Sequence, residues 1–305
     1  MKLKKKLLIA GGTGFIGYHL AMDALKRGYS VTSLSTKNPK KYRYLKRVKY
    51  LKCNTLKKKL LKKKIKIDYD VVVNLSGYVN HYEKKKTFSS HYTGCKNLAD
   101  IFINKNLKSF IQMGSGMENG NVKSPQKEKL NCKPLSNYAL AKYNASSYLL
   151  NLFKNKKFPV TVLRLYQAYG PKQNLNRLIS IVIDKSLKNQ NIPCTLGRQK
   201  RDFLYIDDLI NVIFKVINSK QSHGKIFNIG SSEPIRIRDV IKKIIKIIKK
   251  GKPQFGKIAL RKEELQNMYP SINKAKKILS WKPKVSLEQG LKLTIKNFKN
   301  EIKYK

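Results

Sequence analysis

Short, uninterrupted apolar runs alternate along this chain with longer stretches in which apolar residues return every three or four positions. The runs near 7–10, 31–34, 49–53, 69–77, 109–113 and 160–165 have the length and β-branched content of strands. The longer periodicity predicts helices at about 18–27, 57–66, 209–217 and 241–250, with others after 136, after 177 and at the C-terminal end. Strand and helix signals taking turns in this way predict an α/β fold: a doubly wound parallel sheet with helices on both faces. The last third is less regular, and it predicts a smaller α+β lobe.

Length and composition set bounds on this picture. The 305 residues suffice for one large α/β unit or for two lobes sharing a core, and 41% hydrophobic content is adequate for burial. The net charge of +50 points at first to a polyanion partner. Of 67 basic residues, however, only ten are Arg and 57 are Lys, scattered over nearly every helix and loop. Nucleic-acid readers concentrate Arg and Lys on one surface, so the excess reads as codon bias and specific nucleic-acid binding is not expected. The Lys-rich run at 57–66 reads as a solvated helix face, and the Ile stripe of 241–250 as packing into the smaller lobe rather than onto a membrane.

Cys53, Cys95, Cys132 and Cys194 are widely spaced, without Cys-x-x-Cys or a nearby His at ligand spacing. No metal site and no disulfide framework is expected, and a reducing cytoplasm suits them. The opening Met-Lys-Leu-Lys-Lys-Lys imitates a signal peptide, but its apolar run, Leu7–Ala10, is too short and reads as a first strand. No apolar run approaches the roughly 18 residues of a membrane span.

Three stretches carry chemistry. Gly11-Gly-Thr-Gly-Phe-Ile-Gly17 lies between the first strand and the first helix, with glycines at 11, 14 and 17 for a tight turn, backbone approach to a pyrophosphate and close helix packing. The second strand ends in Ser35-Thr-Lys37, with no acid where an NAD-selective site places one on the ribose hydroxyls. Small hydroxyls and a cation there favour NADP(H), with NAD(H) possible. Ser136-Asn-Tyr-Ala-Leu-Ala-Lys142 sets Tyr138 and Lys142 one helical turn apart on one face. An ammonium beside a phenol favours the phenolate, so Lys142 is expected to lower the Tyr138 pKa towards a usable acid/base range.

Together these motifs resemble the extended short-chain dehydrogenase/reductase superfamily, the NAD(P)-dependent nucleotide-sugar epimerases, dehydratases and reductases, and the likeness covers nearly the whole chain. Ser115 stands five before Gly120 and 23 before Tyr138, the register of the Ser or Thr that completes the family's triad. Arg164-Leu-Tyr-Gln-Ala-Tyr-Gly-Pro171, Arg201-Asp-Phe-Leu-Tyr-Ile-Asp-Asp208, Phe227–Pro234 and Trp281–Gly290 are similar to further family segments. The resemblance implies a Rossmann domain over 1–167, with about 204–228 returning to it, and a nucleotide-sugar-binding lobe from 168–203 and 229–305. It implies catalysis by Ser115, Tyr138 and Lys142. Cofactor contacts would come from Gly11, Gly14, Phe15, Ile16, Gly17, Ser35, Lys37, Leu75, Ser76, Gly77, Met113, Tyr138, Lys142 and Leu165. Substrate contacts would come from Ser115, Glu118, Gln167, Arg177 and Arg201, the last through the diphosphate. His81 and His91 read as structural, and Asp207 and Asp208 as caps of a helix from Leu209 to Ile217.

The family's 4,6-dehydratases carry acids directly after the Ser/Thr, where Gly116 and Met117 stand here. The expected activity is therefore NADPH-dependent reduction of an NDP-4-keto-6-deoxyhexose at C4, in surface polysaccharide synthesis by family analogy, by a cytoplasmic homodimer. An NAD-dependent 4-epimerase is the nearest alternative. A non-catalytic, nucleic-acid-binding family member is the alternative of another class, and the intact Ser115, Tyr138 and Lys142 set argues against it.

Overall fold

The computed structural model describes residues 4–78, 83–128, 132–261 and 264–303; His81 lies outside them. The first half runs β1 (Lys6–Ala10), α1 (Phe15–Lys26), β2 (Ser30–Ser35), β3 (Lys49–Lys52), α2 (Lys58–Lys64), β4 (Val71–Asn74), α3 (Lys84–His91), α4 (Thr93–Asp100) and β5 (Ser109–Ser115). Then follow α5 (Asn137–Lys156), β6 (Val160–Leu165), β7 (Gln167–Tyr169), α6 (Leu178–Leu187), β8 (Asn191–Cys194), β9 (Lys200–Arg201) and β10 (Phe203–Tyr205). The chain closes with α7 (Ile206–Ile217), β11 (Lys225–Ile229), β12 (Ile235–Arg236), α8 (Ile237–Ile248), β13 (Lys252–Phe255), β14 (Asn267–Met268), α9 (Asn273–Leu279) and α10 (Leu287–Lys303).

Seven parallel strands form one sheet in the order β11-β6-β5-β4-β1-β2-β3. The period-two pattern decides which face each residue serves. Leu7, Ile9, Val71 and Val73 enter one core with α1 and α7, and Leu8, Ala10 and Val72 enter the other with α4 and α5. The first core continues without a break into the smaller lobe through Ile179, Ile183, Ile241 and Leu291. There the Ile stripe of α8 is buried at Val240, Ile241, Ile244 and Ile248. Three small sheets complete that lobe: β10 with β7, β13 with β8, and β9 between β12 and β14. Among the described residues no helix is long and apolar enough to cross a membrane.

The chain runs outward from β1 to β3 and returns to β4 on the other side of β1, so the order reverses between β1 and β4. Beyond the carboxyl ends of those strands lies the crevice such a reversal creates. α1 begins at Phe15, three residues earlier than its periodicity predicts, because the turn after β1 is tight enough to start the helix at once. α7 begins at Ile206 with Tyr205 as its N-cap residue. Asp207 and Asp208 therefore sit inside its first turn and are not its caps. Asp208 instead accepts the backbone N–H groups of Lys284 (3.0 Å) and Val285 (2.9 Å), fastening the segment before α10 to the first turn of α7.

Two side chains near the start of the chain, Arg43 and His19, hold the loop that leads into the smaller lobe. Arg43 donates to the Lys172 carbonyl and to Asn174 Oδ1, and His19 Nε2 lies 2.9 Å from the Pro171 carbonyl. His19 is buried, and burial, aided by the Arg43 and Lys172 charges, pushes its pKa down from 6.5 to about 4. Between those values the unfolded chain binds the proton and the folded one resists it, so stability falls as pH drops through that window. The full window corresponds to on the order of 3 kcal/mol. Urea unfolding at pH 7 and pH 4.5 is expected to cost the wild type more stability than His19→Gln, which keeps a donor but cannot titrate. Equal losses in the two proteins would show that His19 does not couple folding to pH.

Candidate active site

The glycine turn builds the floor of the crevice. Gly11 adopts φ +81°, and a Cβ there would come within 2.8 Å of the Leu75 backbone, so the turn after β1 lies directly on the segment after β4. A Cβ at Gly17 would come within 2.5 Å of Gly12, which is why α1 can start against the turn. At its N-terminus α1 has Gly14 as N-cap residue, no side-chain cap and no acid in its first turn. A twelve-residue helix whose positive end is left uncapped at a glycine cradle fits the diphosphate of a dinucleotide. Leu75 N donates to the Ala10 carbonyl (2.8 Å), and a buried network from Gln112 through Asn74 to Ser76 fixes the next residue of that wall.

At the end of β2, Ser35 is half-buried and its Oγ accepts from Thr13 N at 3.3 Å, while Lys37 is exposed just beyond the strand. Asn54 turns its Oδ1 onto Leu56 N (3.0 Å). The end of β2 therefore presents a hydroxyl at the turn and an exposed cation past it, with no carboxylate among Ser35, Thr36 and Lys37.

Ser115, Tyr138 and Lys142 come together from two elements. Ser115 is the last residue of β5; it accepts from Met117 N at 3.2 Å and is also hydrogen-bonded to the Tyr138 hydroxyl. α5 is started by Ser136, whose Oγ accepts from Ala139 N (3.2 Å), a cap that aims the first turn at the end of β5. One turn further on, Lys142 is buried and donates through Nζ to the Met113 carbonyl at 2.7 Å. The two strongest expectations of the sequence, a shared helix face and a Ser in register, thus meet in one place. The expectation about proton affinity does not. Burial is the largest influence on Tyr138 and raises its pKa; the Ser115 hydrogen bond and the Arg177 charge oppose it without reversing it, and Glu118 adds to the rise. Lys142 is itself pushed down by burial and acts on Met113, not on the phenol. Tyr138 is accordingly a protonated phenol at neutral pH.

Glu118 also departs from expectation. It is fully buried, with Oε1 accepting from Ser115 N (2.8 Å) and Oε2 accepting from Ser146 Oγ (2.9 Å) and Arg164 Nε (2.9 Å). Enclosed on both oxygens, it positions Ser115 and has no atom left for a substrate. Arg164, 1% exposed, spends its remaining reach on Asn119 Oδ1 at 2.8 Å. Packing here is close enough that a Cβ at Gly114 would lie 2.5 Å from Glu118 Oε1.

Of the other residues expected to meet a substrate, Arg177 is exposed at the start of α6 and close enough for its charge to act on Tyr138. Gln167 is half-buried in β7, opposite Phe203. Arg201 is buried and ion-paired with Glu264. His91, set aside in the sequence as structural, stands edge-on to the Tyr138 ring with centroids 4.9 Å apart, and its Nε2 lies 3.1 Å from the Tyr78 carbonyl. Its imidazole fills the space over Gly77, where a Cβ would come within 1.8 Å of Cε1. Nothing in the sequence around His91 signals this contact, because it joins α3 to α5. No group of three or more His, Cys, Asp or Glu among the described residues could hold a metal ion.

The sequence matches the NAD dependent epimerase/dehydratase family over residues 7–230. A dTDP-D-glucose 4,6-dehydratase of Dictyostelium discoideum is 31% identical over 80% of this chain and 62% of its own, so this chain spans less than two thirds of that relative's length. The structure superposes on UDP-glucose 4-epimerase of Thermotoga maritima, solved with UDP-glucose, with a TM-score of 0.90 at 24% identity, covering 97% of this chain and 99% of that one. It is also similar to UDP-glucuronic acid 4-epimerase of Bacillus cereus in complex with UDP-glucuronic acid and NAD: TM-score 0.84, 26% identity, and the same two coverages, 97% and 99%.

Proposed function

Because this chain belongs to the NAD dependent epimerase/dehydratase family, we propose that it is an NAD(P)-dependent enzyme acting at C4 of a nucleotide-diphosphate hexose, and specifically that it reduces a 4-keto-6-deoxy sugar with NADPH. One observation argues against dehydration among the family's chemistries. The carboxylate beside the triad, Glu118, is closed off by Arg164, Ser146 and Ser115, while Gly116 and Met117 follow Ser115 directly. Elimination of water from a sugar needs a free acid and base next to C5 and C6, and no side chain at these positions supplies one. What is left is proton transfer by Tyr138.

Bound NADPH supplies the hydride. The residues that would hold it are the Gly11 to Gly17 turn, Ser35 and Lys37 on the adenosine side, and Leu75 to Gly77, Met113 and Lys142 towards the nicotinamide. Tyr138, kept protonated by burial, is the acid that gives a proton to the C4 oxygen. Ser115, bonded to the same hydroxyl, orients it and offers a hydrogen bond to the oxygen as charge develops. Arg177, Arg201 and Gln167 would receive the diphosphate, Arg201 exchanging Glu264 for phosphate oxygens.

The test follows absorbance at 340 nm of purified protein with NADPH and a panel of NDP-4-keto-6-deoxyhexoses. Stoichiometric loss with one sugar, faster with NADPH than with NADH, is the expected result. Lys37→Ala should weaken NADPH about tenfold, the effect of losing roughly 1.4 kcal/mol, and leave NADH unchanged. A second reading, 4-epimerisation on a retained NAD, is favoured by the Bacillus cereus relative with bound NAD. If no sugar consumes NADPH and denaturation releases a stoichiometric NAD, the reductase reading is abandoned for the epimerase.

A further inference from the structure

We propose that the outer face of the small sheet β12-β9-β14 carries a second anion site, separate from the crevice that holds Tyr138, and that it takes a compact oligophosphate. A cleft of ≈ 350 Å³ opens there, lined by Arg198, Lys200, Arg236, Arg238, Gln266 and Asn267. Strand register puts its lining on the face opposite Arg201. Lys200 is opposite Arg236 on β12 and Asn267 on β14, so these three project from one face. Arg201, Ile235 and Met268 are likewise opposite one another and project from the other face, where Arg201 pairs with Glu264. Neighbouring residues of one strand therefore serve two different surfaces.

The four cations of the outer face are unlike the chain's general charge. Lys outnumbers Arg 57 to ten over the whole sequence, yet three of the ten Arg, at 198, 236 and 238, meet in this one cleft. A bias towards Lys codons gives no reason for guanidinium groups to gather. A requirement for planar, bidentate donors to phosphate oxygens does. Among the described residues none of the four makes an ion pair, whereas Arg201 on the opposite face does. The arrangement is also held in place. Ile237 N donates to the Gln199 carbonyl (3.1 Å) and Arg238 N to the Gly197 carbonyl (3.0 Å), which ties the start of α8 to the loop before β9. Gly197 is in the left-handed region at φ +66°, and a Cβ there would lie 2.7 Å from Arg238 N, so the loop carrying Arg198 is pressed onto the helix. The Arg238 guanidinium lies 5.2 Å from the Phe255 ring centroid, which limits its swing. Arg236 is the N-cap residue of α8, so the positive end of a twelve-residue helix adds to the field, offset in part by Asp239 in the same turn. Four cations and two amides around a cleft of this size match linked phosphates carrying three or four negative charges.

The experiment is titration calorimetry of the full-length protein with inorganic tripolyphosphate in 150 mM KCl. One saturable site with a dissociation constant below about 100 μM is expected. The triple variant R198Q/R236Q/R238Q should weaken it at least thirtyfold. Two controls should bind as wild type: K59Q/K62Q/K63Q, which removes equal charge from the exposed side of α2, and Arg201→Gln on the inner face. Equal loss in the α2 variant would reduce the site to diffuse charge, loss in Arg201→Gln would assign the phosphate to the substrate crevice, and a titration without saturation would end the proposal. Phenylglyoxal footprinting of the wild type reads the same question without any variant, since bound tripolyphosphate should protect Arg198, Arg236 and Arg238 and leave Arg47 reactive; uniform protection counts against it. Repeating the titration with ATP separates the sources of the phosphate: tighter binding than tripolyphosphate assigns a nucleotide, equal binding the phosphate chain alone.

Discussion

Tyr138→Phe is expected to lower kcat by about 10²- to 10⁴-fold, the range that a positioned general acid contributes, while cofactor affinity stays within about twofold. The substitution keeps the ring and its edge-on contact with His91 at 4.9 Å, so the packing of α5 on α3 is preserved. Only the hydroxyl is lost, together with its hydrogen bond to Ser115. Because burial raises the phenol's pKa above its ordinary 10, the proton-donating form persists throughout the neutral range. The wild-type kcat/KM for reduction should therefore be flat from pH 6 to 9 as far as Tyr138 is concerned, and fall only when the phenol ionises at higher pH. Single-turnover hydride transfer, with binding measured separately by cofactor fluorescence, gives the answer. A Phe variant that turns over at the wild-type rate would refute the mechanism.

Glu118→Gln is expected to destabilise the protein by about 3–5 kcal/mol, the cost of leaving one member of a buried ion pair without its partner. Arg164 is 1% exposed and cannot turn its guanidinium out to water when Glu118 loses its charge. The same change slackens Ser115, whose amide is held by Glu118 Oε1, so kcat should fall even in the molecules that remain folded. The double variant Glu118→Gln with Arg164→Met should recover much of the lost stability, since it removes the stranded charge, but not the activity. Urea unfolding of the two single variants and the double variant measures the coupling. Additive losses, or a single-variant cost under about 1 kcal/mol, would show that the pair is incidental to the fold.

What these two experiments probe was legible in the sequence to very different degrees. Tyr138 and Lys142 were placed on one helix face by their spacing alone, and Ser115 by the family register that its distances from Gly120 and Tyr138 match. The partner of Glu118 was not legible, because Arg164 is 46 residues further on and only the pairing of β5 with β6 brings the two together. The contacts of His91 were hidden for the same reason. Its neighbours in sequence describe a polar helix, whereas its neighbours in space are Gly77 and the Tyr138 ring.

By itself the sequence determined everything that depends on local repetition and covalent spacing. The alternation of strands and helices, the glycine turn at 11 to 17, the inward stripe of α8 and the shared face of Tyr138 and Lys142 follow from periods of 2 and 3.6 and from fixed offsets, and the place of Ser115 follows from the family resemblance. Tertiary structure alone decided the energetics of those residues. Depth of burial, not the neighbouring Lys142, determines the proton affinity of Tyr138. Asp208 serves a segment 76 residues away instead of its own helix. Three scattered arginines become one cleft because β9 and β12 pair and α8 starts where β12 ends. The physical reason is common to all of them: solvation and Coulomb interaction depend on distance through space, and a sequence records which groups are present but not which of them will be excluded from water together.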